Sequence, residues 1–279
     1  MDLPGIPADL LSTIRDAARD CGVTRLALVG GAVRDALLHH EHHDPWRGLP
    51  DLDLVVEGSA EALAHRLREG CGEERVPQLR VHGSYGTVEL ELDGVLLDLA
   101  VARQEHYPEP AFNPVVEPGL LELDLARRDF TVNALALEIP LDTEALSFLA
   151  QEKLLDLYGG QAHLAHRQLA FLHEASIKDD PTRLIRAARY GARLGFSLAP
   201  EAAQQITDAL AAWPWSWHVG DPPEHAPPAL ATRLRMELEL LLAREPWPQA
   251  LHLLQTWGGL GLLDPGLQAD GRLLRRLGQ

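Results

Sequence analysis

Two aspartates, Asp51 and Asp53, stand two residues apart in the run Pro50-Asp51-Leu52-Asp53-Leu54-Val55-Val56. The apolar residues around them spell a strand. Side chains on a strand alternate faces, so the two carboxylates point the same way. Like charges held that close need a cation between them, and oxygen donors suit a divalent metal. Upstream, an apolar strand at 25–29 runs into Gly30 and Gly31, which open a helix over 31–38 bearing Arg34 and Asp35. Backbone N–H groups at such a helix start receive phosphate oxygens, and a metal beside them suits a triphosphate. Alone, an Asp-x-Asp pair is common in loops and a Gly-Gly pair usually marks a turn. The succession of the two is what carries chemistry.

A third carboxylate, Asp98, interrupts the apolar strand Val95-Leu96-Leu97-Asp98-Leu99-Ala100-Val101. An unpaired carboxylate buried there would be costly. Its partner is the cation of the Asp51 and Asp53 pair, or Arg103, unless Asp98 marks a strand edge. Two arginine-bearing stretches follow. Asp124-Leu125-Ala126-Arg127-Arg128-Asp129-Phe130-Thr131-Val132-Asn133 supplies donors suited to a triphosphate. Within it Asp129 and Asn133, four apart, can face one side of a helical turn. In Asp179-Asp180-Pro181-Thr182-Arg183, an acidic cap and a proline start a helix. That start accounts for the acids but not for Arg183, Arg186, Arg189 and Arg193. Their spacings of 3, 3 and 4 place four like charges on one face, which needs an anion or another planar partner.

These residues need elements to position them. Apolar periodicity predicts helices over 7–20, 59–69, 200–212, about 230–244 and 247–257. Strands are expected over 80–92 and 95–101, joined by the hairpin signal Asp93-Gly94. Beyond about residue 140 no strand alternation appears and helical spacing takes over. The connection His39-His40-Glu41-His42-His43-Asp44-Pro45-Trp46 reads as a solvated loop rather than a metal site. The Trp- and Pro-rich run from Trp213 to Pro228 reads as a linker whose indoles cap a core, in preference to base-stacking rings. No internal repeat is evident.

Composition bounds the function. The 279 residues suffice for one large domain or two to three smaller ones, with a sizeable core. A net charge of −16 argues against binding nucleic acid by bulk attraction, though not against a local basic face. Lys153 and Lys178 are the only lysines, so the positive charge is nearly all arginine, whose planar fork suits phosphates and base edges. Cys21 and Cys71 make no metal spacing or disulfide framework, and the start Met1-Asp2-Leu3-Pro4-Gly5 lacks the order of a signal peptide. No stretch approaches a membrane span. A cytoplasmic location is the expectation.

In order, these motifs resemble those of the class II tRNA nucleotidyltransferases (CCA-adding enzymes) and bacterial poly(A) polymerases of the nucleotidyltransferase superfamily, over residues 25 to 260. Leu155-Asp156-Leu157-Tyr158-Gly159-Gly160 resembles that family's hinge-like third motif, and 233–242 its weak last one. The sequence departs from the family pattern at His163, where an acid is usual, and in the longer connection at 39–46. The resemblance implies an α+β fold: a mixed-sheet catalytic head at 1–145, a helical neck at 146–212, and a helical body at 230–279 whose tail is short or absent. It implies Mg2+ at Asp51, Asp53 and Asp98, and a nucleotide held by Gly30, Gly31, Arg34, Asp35, Arg128, Asp129 and Asn133. Asp180 and Arg183 would read the base, while Arg186 and Arg189 would face phosphates or shape the pocket. The implied reaction joins C or A, from CTP or ATP, to a tRNA 3′ end, with no protein partner. Poly(A) synthesis and CC-only or A-only addition share every motif. A non-catalytic RNA- or nucleotide-binding relative is the reading from another class. A dinucleotide-binding dehydrogenase is disfavoured, since the glycine pair makes no Gly-x-Gly-x-x-Gly.

Overall fold

The computed structural model describes residues 3–7, 9–49, 51–83, 86–142 and 153–277. Its contacts divide into two compact units: residues 1–105 with 116–164, and residues 106–115 with 165–279. The expected boundary at 145/146 lies outside the described residues.

The first unit contains α1 (Leu10–Asp20), β1 (Arg25–Val29), α2 (Gly31–His42), β2 (Leu52–Glu57), α3 (Ala60–Cys71), β3 (Leu79–His82), β4 (Thr87–Leu92) and β5 (Val95–Val101). A two-stranded ribbon, β6 (Arg103–His106) with β7 (Val115–Pro118), follows, and its connecting residues belong to the second unit. Then come α4 (Leu121–Ala126), β8 (Leu135–Glu138), β9 (Lys153–Asp156) and α5 (Gly160–Ala165). Seven strands form one mixed sheet in the order β3-β4-β5-β2-β1-β8-β9. Only β2 and β5 pair in parallel within it; the other described neighbours are antiparallel. This bears out the expected α+β class.

The core of this unit lies where the strand pattern says it should. Leu52, Leu54, Leu97 and Leu99 are fully buried, while Asp53 and Asp98 between them are partly exposed on the other face. Asp93 and Gly94 both take positive φ, 52° and 79°, which makes the tight β4–β5 turn that Asp-Gly favours.

Three elements differ from expectation. The stretch 80–92 is two strands, separated at 83–86, with Ser84 and Tyr85 outside the described residues. Gly86 at φ 61° breaks the run. The histidine connection is not a loop throughout: α2 runs on to His42. His43, left-handed at φ 58°, caps it by donating its N–H to Leu38 O. Histidines suit a helix C-terminus, and no glycine marks the stop. Finally, β9 adds a sheet strand beyond residue 140. At four residues it is too short for alternation to register.

The second unit is mostly helical: α6 (Ser176–Asp179), α7 (Thr182–Leu194), α8 (Pro200–Ala212), α9 (Thr232–Arg244), α10 (Trp247–Thr256), α11 (Pro265–Ala269) and α12 (Leu273–Leu277). Two-residue strands β10 (Gln168–Leu169) and β11 (Ser197–Leu198) pair in parallel. Gly195, at φ 71°, ends α7 in the left-handed conformation that glycine takes without cost. Trp215 is buried and donates its indole N–H to Lys178 O at 2.9 Å, so this tryptophan serves the core.

Candidate active site

The carboxylates are assembled by strand register. Asp53 on β2 and Asp98 on β5 are direct partners in the parallel pair. Asp51 sits just before β2, two residues from Asp53 and so on its face. Burial raises the pKa of all three above the ordinary aspartate value. For Asp98, burial acts first and the charges of Asp53 and Asp51 next, pushing it up to about 6. Asp53 and Asp51 act on Asp98 through their charge, and carboxylate oxygens are the hard donors a divalent cation takes, although among the described residues no group of three His, Cys, Asp or Glu is arranged to hold a metal ion. Arg103, the other partner weighed for Asp98, directs its Nε to Glu105 at 3.0 Å.

The glycine pair works by absence of a side chain. Gly30 sits at φ 69° and ψ −132°, a conformation for glycine alone. A Cβ there would lie 3.1 Å from both Asp53 Oδ2 and Arg128 Nη1. Gly30 therefore lets β1 turn into α2 directly beneath a carboxylate and a guanidinium.

Two arginines flank Asp53 and lower its pKa against the effect of burial, Arg128 more than Arg34. Arg34 is buried. It forks onto Asp35 at 2.8 and 3.0 Å and donates to Asn133 Oδ1 at 2.7 Å. Asn133 in turn donates to Asp129 Oδ1 at 2.9 Å, as does the Phe130 N–H at 2.8 Å. The four-residue spacing thus brings Asn133, at the end of the short 3-10 turn Thr131–Asn133, back to Asp129, which precedes it. Asp35 and Asn133, expected among the nucleotide-holding residues, here hold Arg34, and Asp129, expected with them, holds Asn133.

Arg128 is anchored differently. Its Nη2 donates to Asp124 Oδ2 at 3.1 Å, and Arg127 forks onto Oδ1 of the same buried carboxylate at 2.7 and 2.9 Å. Arg128 Nε is buried with no hydrogen-bond partner among the described residues. An orphaned guanidinium N–H beside a carboxylate cluster suits an anionic ligand carried with a cation. Asp124 and Glu105, which also binds Arg127 at 3.1 Å, were not singled out from the sequence. The i, i+3 and i, i+4 spacing of Asp124 to Arg127 and Arg128 was the available signal. His163 takes a specific place as well: its Nδ1 lies 3.0 Å from Thr131 Oγ1.

In the second unit, Asp180 Oδ1 accepts from Thr182 N at 3.0 Å and Oγ1 at 2.6 Å. Its Oδ2 lies 3.7 Å from Arg233 Nη2. Arg183 is buried, with Nη1 3.3 Å from His173 Nε2. The rest of the arginine face finds its anion inside the protein. Arg186 and Arg189 pair with Glu237 of α9, and Arg189 and Arg193 pair with Glu245, just beyond α9. Arg186 and Arg189, expected to face phosphates or shape the pocket, here meet carboxylates of this chain. A sequence shows the four-arginine face but not that two glutamates some fifty residues on fold against it.

A mixed sheet whose parallel central pair aligns carboxylates beside a glycine-opened helix is the arrangement of a nucleotidyltransferase head. The chain belongs to the family described as "Poly A polymerase head domain", which matches residues 26–170. It is 42% identical over 257 residues to the CC-adding tRNA nucleotidyltransferase of Deinococcus radiodurans, covering 91% of this chain and 59% of that one. It is 33% identical to the A-adding tRNA nucleotidyltransferase of Aquifex aeolicus, covering 91% of this chain and 27% of the other. A solved tRNA nucleotidyltransferase complexed with a primer tRNA and an incoming ATP analog superposes with a TM-score of 0.72. It is 30% identical and covers 95% of this chain and 66% of its own. The chain therefore spans less than two thirds of the length of these relatives. Enzymes of this superfamily generally use divalent metals. Among the described residues no helix is long and apolar enough to cross a membrane.

Proposed function

We propose that this chain is a template-independent RNA nucleotidyltransferase that adds C or A from CTP or ATP to the 3′ end of tRNA. The observation that carries this reading is the register of β2 and β5, which aligns Asp53 with Asp98 beside Asp51, with Arg34 and Arg128 flanking. The names of the Deinococcus and Aquifex relatives supply the substrate class, and the higher identity to the CC-adding one favours C.

Asp51, Asp53 and Asp98 would hold Mg2+. The bound metal would sharpen the 3′ hydroxyl as nucleophile and neutralise charge on the leaving pyrophosphate. Arg128 and Arg34 would bind triphosphate oxygens, while Gly30 and Gly31 keep the approach open. Asp35, Asp129 and Asn133 keep the Arg34 guanidinium aimed. Asp180 would accept from the exocyclic amine of cytosine or adenine, and Arg183 would donate to the neighbouring ring nitrogen. Guanine and uracil present a carbonyl where the amine should be and a ring N–H where the acceptor should be. A cytoplasmic reaction agrees with the two free cysteines.

The test supplies labelled CTP or ATP with Mg2+ to tRNAs ending before CCA, after C and after CC. Addition of both C residues and no A is the expected result. Addition of A alone, or a full CCA end, would assign the other members of the class, and an extended A ladder would assign poly(A) synthesis. No incorporation together with no Mg2+-dependent nucleotide binding would overturn the enzyme reading.

A further inference from the structure

His173 stands ten residues before Arg183, on the turn that leads into α6. A guanidinium carries donors only, so in their 3.3 Å contact Arg183 donates and the imidazole accepts at Nε2. The ring must then keep its own proton on Nδ1, because an imidazolium has no lone pair to offer. Burial, and next the charge of Arg183, push the His173 pKa down to about 4, in line with that neutral form.

The backbone that carries the histidine is fixed. Ser176 N donates to His173 O at 3.1 Å, and His173 N lies 3.4 Å from Ser176 Oγ. Ser176 is fully buried. The acceptor therefore reaches Arg183 from a pinned turn. An imidazole directs a guanidinium plane while adding no negative charge of its own. The planar fork allows one edge to be held while another donates.

We propose that His173 is a positioning residue for base selection, holding the Arg183 guanidinium in the orientation that donates to the ring acceptor of a cytosine or adenine nucleotide. This rests on the base-reading role of Arg183 given above. Uracil and guanine turn a ring N–H toward that guanidinium, and two donors facing one another reject the base. The rejection needs a guanidinium that cannot swing aside. Without the imidazole acceptor, Arg183 loses one of the contacts that fix its plane.

The experiment measures binding of CTP, ATP, UTP and GTP to the full chain in Mg2+ by equilibrium dialysis. It compares wild type, Arg183→Ala, His173→Leu and His173→Gln, with a thermal melt for each. The expected result is that His173→Leu weakens CTP or ATP binding about tenfold. It also narrows the gap to UTP and GTP, and His173→Gln, which keeps an acceptor, restores much of that gap. If His173→Leu fails to fold, His173→Phe takes its place, since it keeps a ring but no acceptor. Unchanged discrimination in the Leu or Phe variant, with discrimination lost in Arg183→Ala, would overturn the inference and leave the base reading standing. Unchanged discrimination in Arg183→Ala would overturn both. Equal losses in the Leu and Gln variants that follow their melting temperatures would reduce His173 to a structural role.

Discussion

At Asp98, strand geometry and solvent exclusion act together to disfavour the charged form. Its pKa is raised from the ordinary value of 3.8 to about 6. An acid whose folded value lies above its unfolded value binds more protons when folded, so its contribution to stability falls as pH climbs through that interval. Without metal, wild type should therefore lose melting temperature relative to Asp98→Asn between about pH 4 and pH 6. Mg2+ should raise the wild-type melting temperature at pH 7.5 and have little effect at pH 4.5, with no such shift in Asp53→Asn. Scanning calorimetry with and without chelator checks both. The same site constrains Gly30. Gly30→Ala puts a Cβ 3.1 Å from Asp53 Oδ2 in a backbone conformation that L-residues rarely adopt. It should cost about 1–3 kcal/mol in urea unfolding and weaken nucleotide binding. At this scale the sequence was informative. Asp51, Asp53, Asp98, Gly30 and Arg34 carry types and spacings with chemical meaning, and the structure gathers them. Asp124 shows only the i, i+3 and i, i+4 spacing to Arg127 and Arg128 in sequence, and Glu105, on β6, reaches Arg127 across a separation that leaves no local trace.

Among the elements, α7 owes its placement to charge as much as to apolar packing. Glu245 is buried against Arg189 and Arg193, and the partly exposed Glu237 pairs with Arg186 and Arg189. Removing a buried partner takes an acceptor from each guanidinium it met. Glu245→Ala should therefore cost about 1–3 kcal/mol in denaturant unfolding, since Arg189 keeps Glu237 and Arg193 reaches water, and Glu245→Gln, which keeps the shape and a hydrogen-bond acceptor, less. The arginine face was legible in the spacing, but its occupant was not, because pairing between helices distant in sequence leaves no periodic trace. The glycine pair marks the start of α2, the Asp93-Gly94 dipeptide the β4–β5 turn, and periodicity the extent of α8. Periodicity failed at β9, where four residues are too few, and at the end of α2, where a left-handed histidine stands in for the usual glycine.

Across the whole molecule the net charge is −16, with positive charge almost wholly in arginine, and much of that arginine is already paired with carboxylates. RNA binding should then rest on few phosphate contacts. Raising salt from 50 to 200 mM should weaken tRNA affinity by less than the roughly 10³-fold or greater loss of a protein with six or more such contacts, as filter binding across a salt series would show. The parallel pairing of β2 with β5 has a consequence for synthesis. Between the two strands the chain must lay down α3, β3 and β4, because parallel neighbours cannot be joined by a tight turn. On the ribosome, Asp51 and Asp53 emerge well before Asp98, as two carboxylates with no third to complete the set. The proposed cation centre would therefore come into being only when β5 aligns along β2. Metal affinity in a nascent chain would time the moment at which the sheet closes.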